Sequence, residues 1–345
     1  MNTSSEYQQM REGAGLIDVS QRGKIELVGS DAASFLHNLT TNDIQNLPAG
    51  AGCEIFLTNA KGKVVAFGWV YHLPAATDAD ATRLAGVPSF WLDVDPPAAK
   101  NAFQHLNKYL ISEQVEIADR TNELAQFYLI GPKAREILAR ASGQNLAGWG
   151  EMQCGFIQWP HSFSVQARFH RRFGVECFEM ISLRDQSTSI SNLLTQAGAE
   201  MISEENLEIL RVEAGIPAYG IDIDENVLAP EVGRTSQTIS YTKGCYLGQE
   251  TIVRIRDLGH VNRTLLGLKV DGETVVPRGS KIFRDDKEVG VVTSSVRSPL
   301  LGTVIALAYL HRGCQTPGTG VQLTLGTARV VAEVASLPFL VSGAN

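Results

Sequence analysis

RTLLGLKV (263–270), KIFRD (281–285), EVGVVTSSV (288–296), TVIALAYL (303–310), VQLTL (321–325) and ARVVAEV (328–334) decide how this chain is built. Each run is short, rich in Val, Leu, Ile and Thr, and most are set off by Gly or Pro, the pattern of a small all-β barrel or sandwich. A boundary is therefore expected near residue 260, dividing the chain into 1–260 and 261–345. Upstream the texture differs. Residues 16–28 mix β-branched and polar side chains, predicting one strand or two short ones. A helix follows, with Phe35, Leu36 and Leu39 on one face and Ser30 or Asp31 as cap. CEIFLT (53–58) and KVVAFGWVYH (63–72) flank NAKG as a hairpin. A loop over 74–81, the strand SFWLDV (89–94), a helix over 96–111 opened by proline, and VEIAD (115–119) complete one α+β unit. The order partly recurs in YLIG (128–131), PKAREILARA (132–141), SVQARF (164–169), VECFEMIS (175–182) and a helix near 190–197. Two related α+β modules followed by a small β-barrel or sandwich are the expected architecture.

Composition narrows the classes of function. The chain has 345 residues, 44% hydrophobic and 19% charged, with a net charge of −7. That is core enough for several folded modules and the wrong sign for a basic nucleic-acid platform. Nine acidic residues against one arginine fall between Glu200 and Glu231, leaving the remainder near neutral. The RFHRR cluster (168–172), with Arg254, Arg256 and Arg263, reads as solvated charge ahead of an RNA surface. The longest apolar stretch, 300–310, is far short of the ~20 residues a bilayer span needs, and the polar N-terminus has no signal-peptide pattern. Five cysteines without a CxxC pair read as free thiols in a reducing compartment, so a cytoplasmic location is expected. Phosphate-loop, dinucleotide, zinc-protease and α/β-hydrolase motifs are all missing from the sequence.

The chemistry-bearing residues lie between 204 and 263. EENLEILRVEAG (204–215) is an amphipathic helix ended by Gly215 and Pro217, with Glu213 in its last turn, against the helix dipole. Glu213 is either solvated or aimed at a ligand with paired N–H donors, such as the edge of a pterin. Lys243-Gly244-Cys245-Tyr246-Leu247-Gly248-Gln249-Glu250 then packs a cation, a thiol, a phenol, an amide and a carboxylate between two glycines. Lys243 is placed to favour thiolate at Cys245, whose alternative is a buried, inert thiol. Helix formation from Gln249 puts Glu250 and Arg254 at i, i+4, suited to an ion pair, or leaves Gln249, Glu250 and Arg254 on a solvated face.

KGCYLGQE makes the chain resemble the folate-binding YgfZ family, relatives of the glycine cleavage T-protein (aminomethyltransferase). GLIDVSQRGKIELVGSDAASFLHNLTTNDI (15–44), LTNAKGKV (57–64), LRVEAGIPAYGIDI (210–223) and GVVTSSVRSPLLGTVIALAYL (290–310) extend the resemblance along most of the chain. It implies a trimodular α+β fold, two ferredoxin-like modules and a C-terminal β-barrel around a central folate-sized opening. The cofactor implied is tetrahydrofolate or a one-carbon derivative. Carried over residue by residue, Glu213 faces the pterin, Tyr246, Gln249, Glu250 and Arg254 line the opening, and Cys245 with Lys243 carries the chemistry, with no resident metal. T-proteins place an aspartate soon after the hairpin glycine, whereas residues 62–67 here contain no carboxylate; Asp18 is a candidate substitute. The resemblance therefore implies an accessory protein for iron–sulfur cluster assembly or repair. Its partners would be assembly factors or radical tRNA-modifying enzymes, with no direct nucleic-acid or membrane contact. Aminomethyl transfer or folate-dependent demethylation is the alternative.

Overall fold

A computed structural model describes residues 3–74, 89–160 and 163–339 of the chain. The loop expected over 74–81 lies outside the described residues beyond Pro74. The first elements are α1 (Thr3–Glu12), β1 (Gly15–Asp18), β2 (Gly23–Val28), α2 (Ala32–Leu39), β3 (Ala51–Thr58), β4 (Val64–Leu73), β5 (Ser89–Val94), α3 (Pro96–Tyr109) and β6 (Glu116–Asp119). Then come β7 (Leu124–Ile130), α4 (Ala134–Ser142), β8 (Cys154–Trp159), β9 (Phe163–His170), β10 (Cys177–Leu183), α5 (Ser187–Gln196) and β11 (Glu200–Met201). They are followed by α6 (Glu204–Glu213), α7 (Thr235–Thr238), α8 (Gln249–Leu258) and the strands β12 (Arg263–Val270), β13 (Lys281–Arg284), β14 (Lys287–Ser298), β15 (Thr303–His311), β16 (Gly320–Leu325) and β17 (Ala328–Ala335). Two compact units result. Residues 1–60, 65–203 and 236–249 make the first, and residues 61–64, 204–235 and 250–345 the second.

In the second unit, β12-β15-β14-β13-β16-β17 closes into a barrel, the first of the two forms that the strand runs allow. Leu268, Ile282, Val292, Ala306, Leu323 and Val334 belong to its buried apolar core. In the first unit, one sheet has the order β3-β4-β5-β2-β6 and the other β11-β1-β7-β10-β9-β8. Along β9, Val165, Ala167 and Phe169 join an apolar core with Ile137 of α4 and Ile190 of α5. The alternate residues of β9 face the other way, as the two-residue period of a strand requires.

That other face overturns the reading of RFHRR as solvated charge. Arg168 and His170 are fully buried, and the side chain of Arg172 is 6% exposed. Arg168 Nη1 donates to Asp93 Oδ2 of β5 at 2.9 Å and to Glu179 Oε2 of β10 at 3.3 Å. Arg172 Nη2 donates to Glu179 Oε1 at 2.7 Å, and His170 Nε2 lies 3.1 Å from the same oxygen. Arg22 completes the cluster through Asp93 and Asp95, each at 2.6 Å. The guanidinium of Arg172 rests on the Trp69 ring, 3.9 Å from its centroid, and that of Arg168 on Tyr71 at 4.2 Å. The two sheets thus meet through a charged and aromatic layer, in which each desolvated charge has an opposite partner. Of this run only Arg171 is exposed, paired with Glu176 at 2.7 Å.

The layer makes stability depend on pH. Burial, then Arg172, pushes the His170 imidazole down to about 4. Burial alone would raise the Glu179 carboxyl, but Arg172, His170 and Arg168 outweigh it and hold it below the usual carboxylate range. An unfolded histidine takes up its proton near pH 6.5. Between about 6.5 and 4 the unfolded chain therefore binds a proton that folded His170 refuses, and stability falls as pH falls through that window. The Glu179 contribution is lost below it, once the unfolded carboxyl protonates. The urea midpoint is expected to drop from pH 7 to pH 4, with His170 contributing up to ~1.4 kcal/mol per pH unit. His170→Asn should flatten the upper part of that curve, and an unchanged slope would exclude His170 as its source.

Candidate functional site

α2 ends where its carbonyls lack partners, because Thr41 N–H goes to Phe56 O of β3 rather than back along the helix. Lys243 supplies what the helix lacks. Its Nζ lies 2.5 Å from His37 O, 2.7 Å from Thr40 O and 2.7 Å from Asn42 O. Burial pushes the amine down to about 7, with Asp43 opposing. Three carbonyl oxygens can all be satisfied only by an ammonium, which has three hydrogens to give, so we assign the charged form. A cation at a helix C-terminus also opposes the negative end of the dipole. The Tyr246 ring covers this cation, its centroid 4.9 Å from Nζ.

The same loop is tied down further along. Leu247 N–H donates to Asn38 O at 2.8 Å, and Thr58 Oγ1 at the end of β3 donates to Leu247 O at 2.6 Å. Gly248 takes φ +87°, a conformation that favours glycine, before α8 begins at Gln249. Tyr246 is buried and Gln249 half-buried. Cys245, between these anchored neighbours, is exposed, which overturns the buried, inert alternative for this thiol. It lines an open groove of about 410 Å³ with Phe35, Leu39, Tyr109, Glu113 and Leu247. Burial pushes the Cys53 thiol up to about 12, with Lys243 opposing. Lys243 is committed to carbonyls, so it positions the loop instead of donating to the sulfur.

The remaining candidates belong to the second unit. Glu213, the last residue of α6, is fully buried rather than solvated. Its Oε1 accepts a hydrogen bond from Ser298 Oγ at the end of β14, whose oxygen in turn accepts from Leu301 N–H at 3.0 Å. The next turn holds it in place. Gly215 takes φ +64°, and a Cβ there would come within 2.8 Å of the Leu337 side chain. Asp222 is buried between Arg211, Ala218, Thr293 and Ser294. Glu250 and Arg254 are both exposed, and no ion pair joins them among the described residues, so for these two the solvated face is found and the i, i+4 pair is not. Of the hairpin residues, Val64, Ala66 and Phe67 are fully buried. Asp18 is exposed and accepts from the Ser20 amide at 2.9 Å. Sequence reasoning missed His37, whose ring lies against Gly244.

Residues 1–236 match the GCVT N-terminal domain, and residues 263–340 the glycine cleavage T-protein C-terminal barrel domain. The chain belongs to the glycine cleavage T-protein family. Within that family it is 28% identical to an aminomethyltransferase of Herpetosiphon aurantiacus, over 97% of this chain and 89% of that protein. It is 29% identical to a putative chloroplastic transferase of Arabidopsis thaliana, over 93% of this chain and 71% of that one. The crystal structure of the glycine cleavage system aminomethyltransferase T from Bartonella henselae superposes with a TM-score of 0.85 at 22% identity, covering 98% and 90% of the two chains. The T-protein fold implied by the signature segments is thus found. Among the described residues no helix is long and apolar enough to cross a membrane.

Proposed function

We propose that this T-protein relative is a folate-binding accessory protein of the YgfZ type, supporting iron–sulfur cluster assembly or repair and, through it, tRNA thiomethylation. The observation that carries the proposal is Cys245, the one cysteine of KGCYLGQE, held exposed on a loop whose neighbours are fixed to α2 and β3. An anchored, accessible thiol is what a transient sulfur or cluster contact needs. It is too little to hold a cluster alone, since iron–sulfur clusters ordinarily take four protein ligands. A partner protein therefore supplies the rest. Tetrahydrofolate or a one-carbon derivative is the proposed cofactor. The chemistry of Glu213 suits it, because a buried carboxylate is the acceptor that the paired N–H donors of a pterin edge require. Glu250 and Arg254, exposed in the same unit as Glu213, are proposed to complete the folate contacts.

Aminomethyl transfer is the second reading, favoured by the 28% identity to an aminomethyltransferase over nearly the whole chain. Against it stands the stretch 62–67, which offers no carboxylate to assist transfer to the folate, a deficit of the order of 10²–10⁴ in rate. One experiment separates the two. In a bacterial strain deleted for its own YgfZ-type gene, wild-type protein is expected to restore 2-methylthio-modified tRNA, and Cys245→Ala to restore none while still binding tetrahydrofolate in calorimetric titration. Full rescue by Cys245→Ala would remove the thiol from the proposal. No rescue by either, together with methylenetetrahydrofolate formed from an aminomethyl donor, would establish the second reading instead.

A further inference from the structure

His37 shares a boundary with the Cys245 loop through its backbone and its side chain. Its carbonyl accepts from Lys243, and its imidazole, 12% exposed, lies against Gly244: a Cβ on that glycine would stand 3.7 Å from His37 Nε2. The other ring nitrogen is occupied. Gln45 N–H donates to His37 Nδ1 at 3.1 Å, so Nδ1 presents its lone pair and a neutral ring must carry its hydrogen on Nε2. Asp43 Oδ1 lies 3.3 Å from Nδ1, and Lys243 is the nearby cation. Burial first, then Lys243, holds His37 below the usual histidine range, which keeps the ring neutral. Nε2–H has no hydrogen-bond partner among the described residues and faces the residue next to the thiol. Among the residues lining the groove, Glu113 carries a carboxylate.

We propose that His37 is the hydrogen-bond partner of Cys245, its ε-tautomer donating Nε2–H to the sulfur when that sulfur is a thiolate or carries a negatively charged ligand. This deepens the proposed function, since it rests on Cys245 as the working thiol. It also assigns His37 a donor's part and excludes it as general base, because the nitrogen that faces the loop already holds the proton. Lys243 fixes the loop, and His37 stabilises what forms at its tip.

The test uses the full chain and reads the thiol directly. Nitrogen chemical shifts of the His37 ring at pH 7.5 are expected to report the Nε2–H tautomer. The rate of Cys245 carbamidomethylation by iodoacetamide at pH 7, followed on the Cys245 peptide, is expected to fall about tenfold in His37→Leu. His37→Gln, whose amide N–H falls near the position of Nε2, should stay within about threefold of wild type. A proton on Nδ1, or a His37→Leu rate within twofold of wild type in a protein with unchanged melting temperature, would overturn the assignment. If His37→Leu does not fold, the tautomer and the His37→Gln rate decide. None of these readouts depends on tRNA modification or folate, so failure here is distinct from failure of the proposed function.

Discussion

Glu179→Ala is expected to destabilise the protein by about 3–5 kcal/mol, read as a lower urea midpoint. Glu179 is fully buried and receives Arg172 at 2.7 Å, His170 at 3.1 Å, Gln126 at 3.2 Å and Arg168 at 3.3 Å. Removing it leaves two guanidinium groups without their shared counter-charge in a place water does not reach. Asp93 partly compensates Arg168, through a 2.9 Å contact, but among the described residues Arg172 has no second carboxylate in its hydrogen bonds. The loss should therefore be recovered in part by Arg172→Met in the same chain, which withdraws the stranded charge. Replacing a whole buried ion pair with apolar side chains is often neutral or stabilising, whereas breaking it is not. A double variant no more stable than Glu179→Ala would mean that the layer is held by shape rather than by charge.

This layer was also the least legible part of the sequence. The barrel strands could be read because β-branched runs and Gly- or Pro-containing turns are local signals, and each of the six runs became a strand. The hairpin of β3 and β4 and the helices α2, α3, α4, α5 and α6 were legible for the same reason. β8 was missed: CGFIQW carries Gly155 and Gln158, and Gln158 is exposed at the sheet edge. Arg168 and His170 were misjudged because a charged side chain is usually solvated. The signal that could have found them was alternation. Gln166, Arg168 and His170 interleave with Val165, Ala167 and Phe169, and Glu179 lies opposite Arg168 in the ladder. Only the neighbouring sheet, with Asp93 and Trp69, decides whether such a polar face is wet or buried. In the candidate site, KGCYLGQE was legible as a motif. Its anchor was not, since the carbonyls held by Lys243 lie some two hundred residues away in the chain.

Asp222→Ala is expected to cost about 3–5 kcal/mol in the second unit, and Asp222→Asn clearly less, about 1–3 kcal/mol. Asp222 Oδ2 accepts from Arg211 Nη1 at 2.7 Å and Ala218 N–H at 2.9 Å; Oδ1 accepts from Thr293 Oγ1 at 2.5 Å and Ser294 Oγ at 2.7 Å. One carboxylate therefore joins the end of α6, the turn after it and β14 of the barrel. Alanine leaves Arg211 a buried cation whose one remaining acidic partner among the described residues is the half-exposed Glu208. Asparagine has a workable orientation: its oxygen can face Arg211 and the amide of Ala218, while its NH₂ faces two hydroxyls, which can rotate to accept. What it cannot restore is the charge on Arg211. The local consequence follows from the chain order. Glu213 lies two residues beyond Arg211 on the same helix, and the 216–223 turn is closed by Asp222, so loosening this knot should loosen Glu213 as well. Amide exchange over 211–223 is expected to rise in Asp222→Ala before exchange in the barrel strands does. Equal protection losses throughout the second unit would show that Asp222 supports the barrel as a whole and has no particular hold on the Glu213 turn.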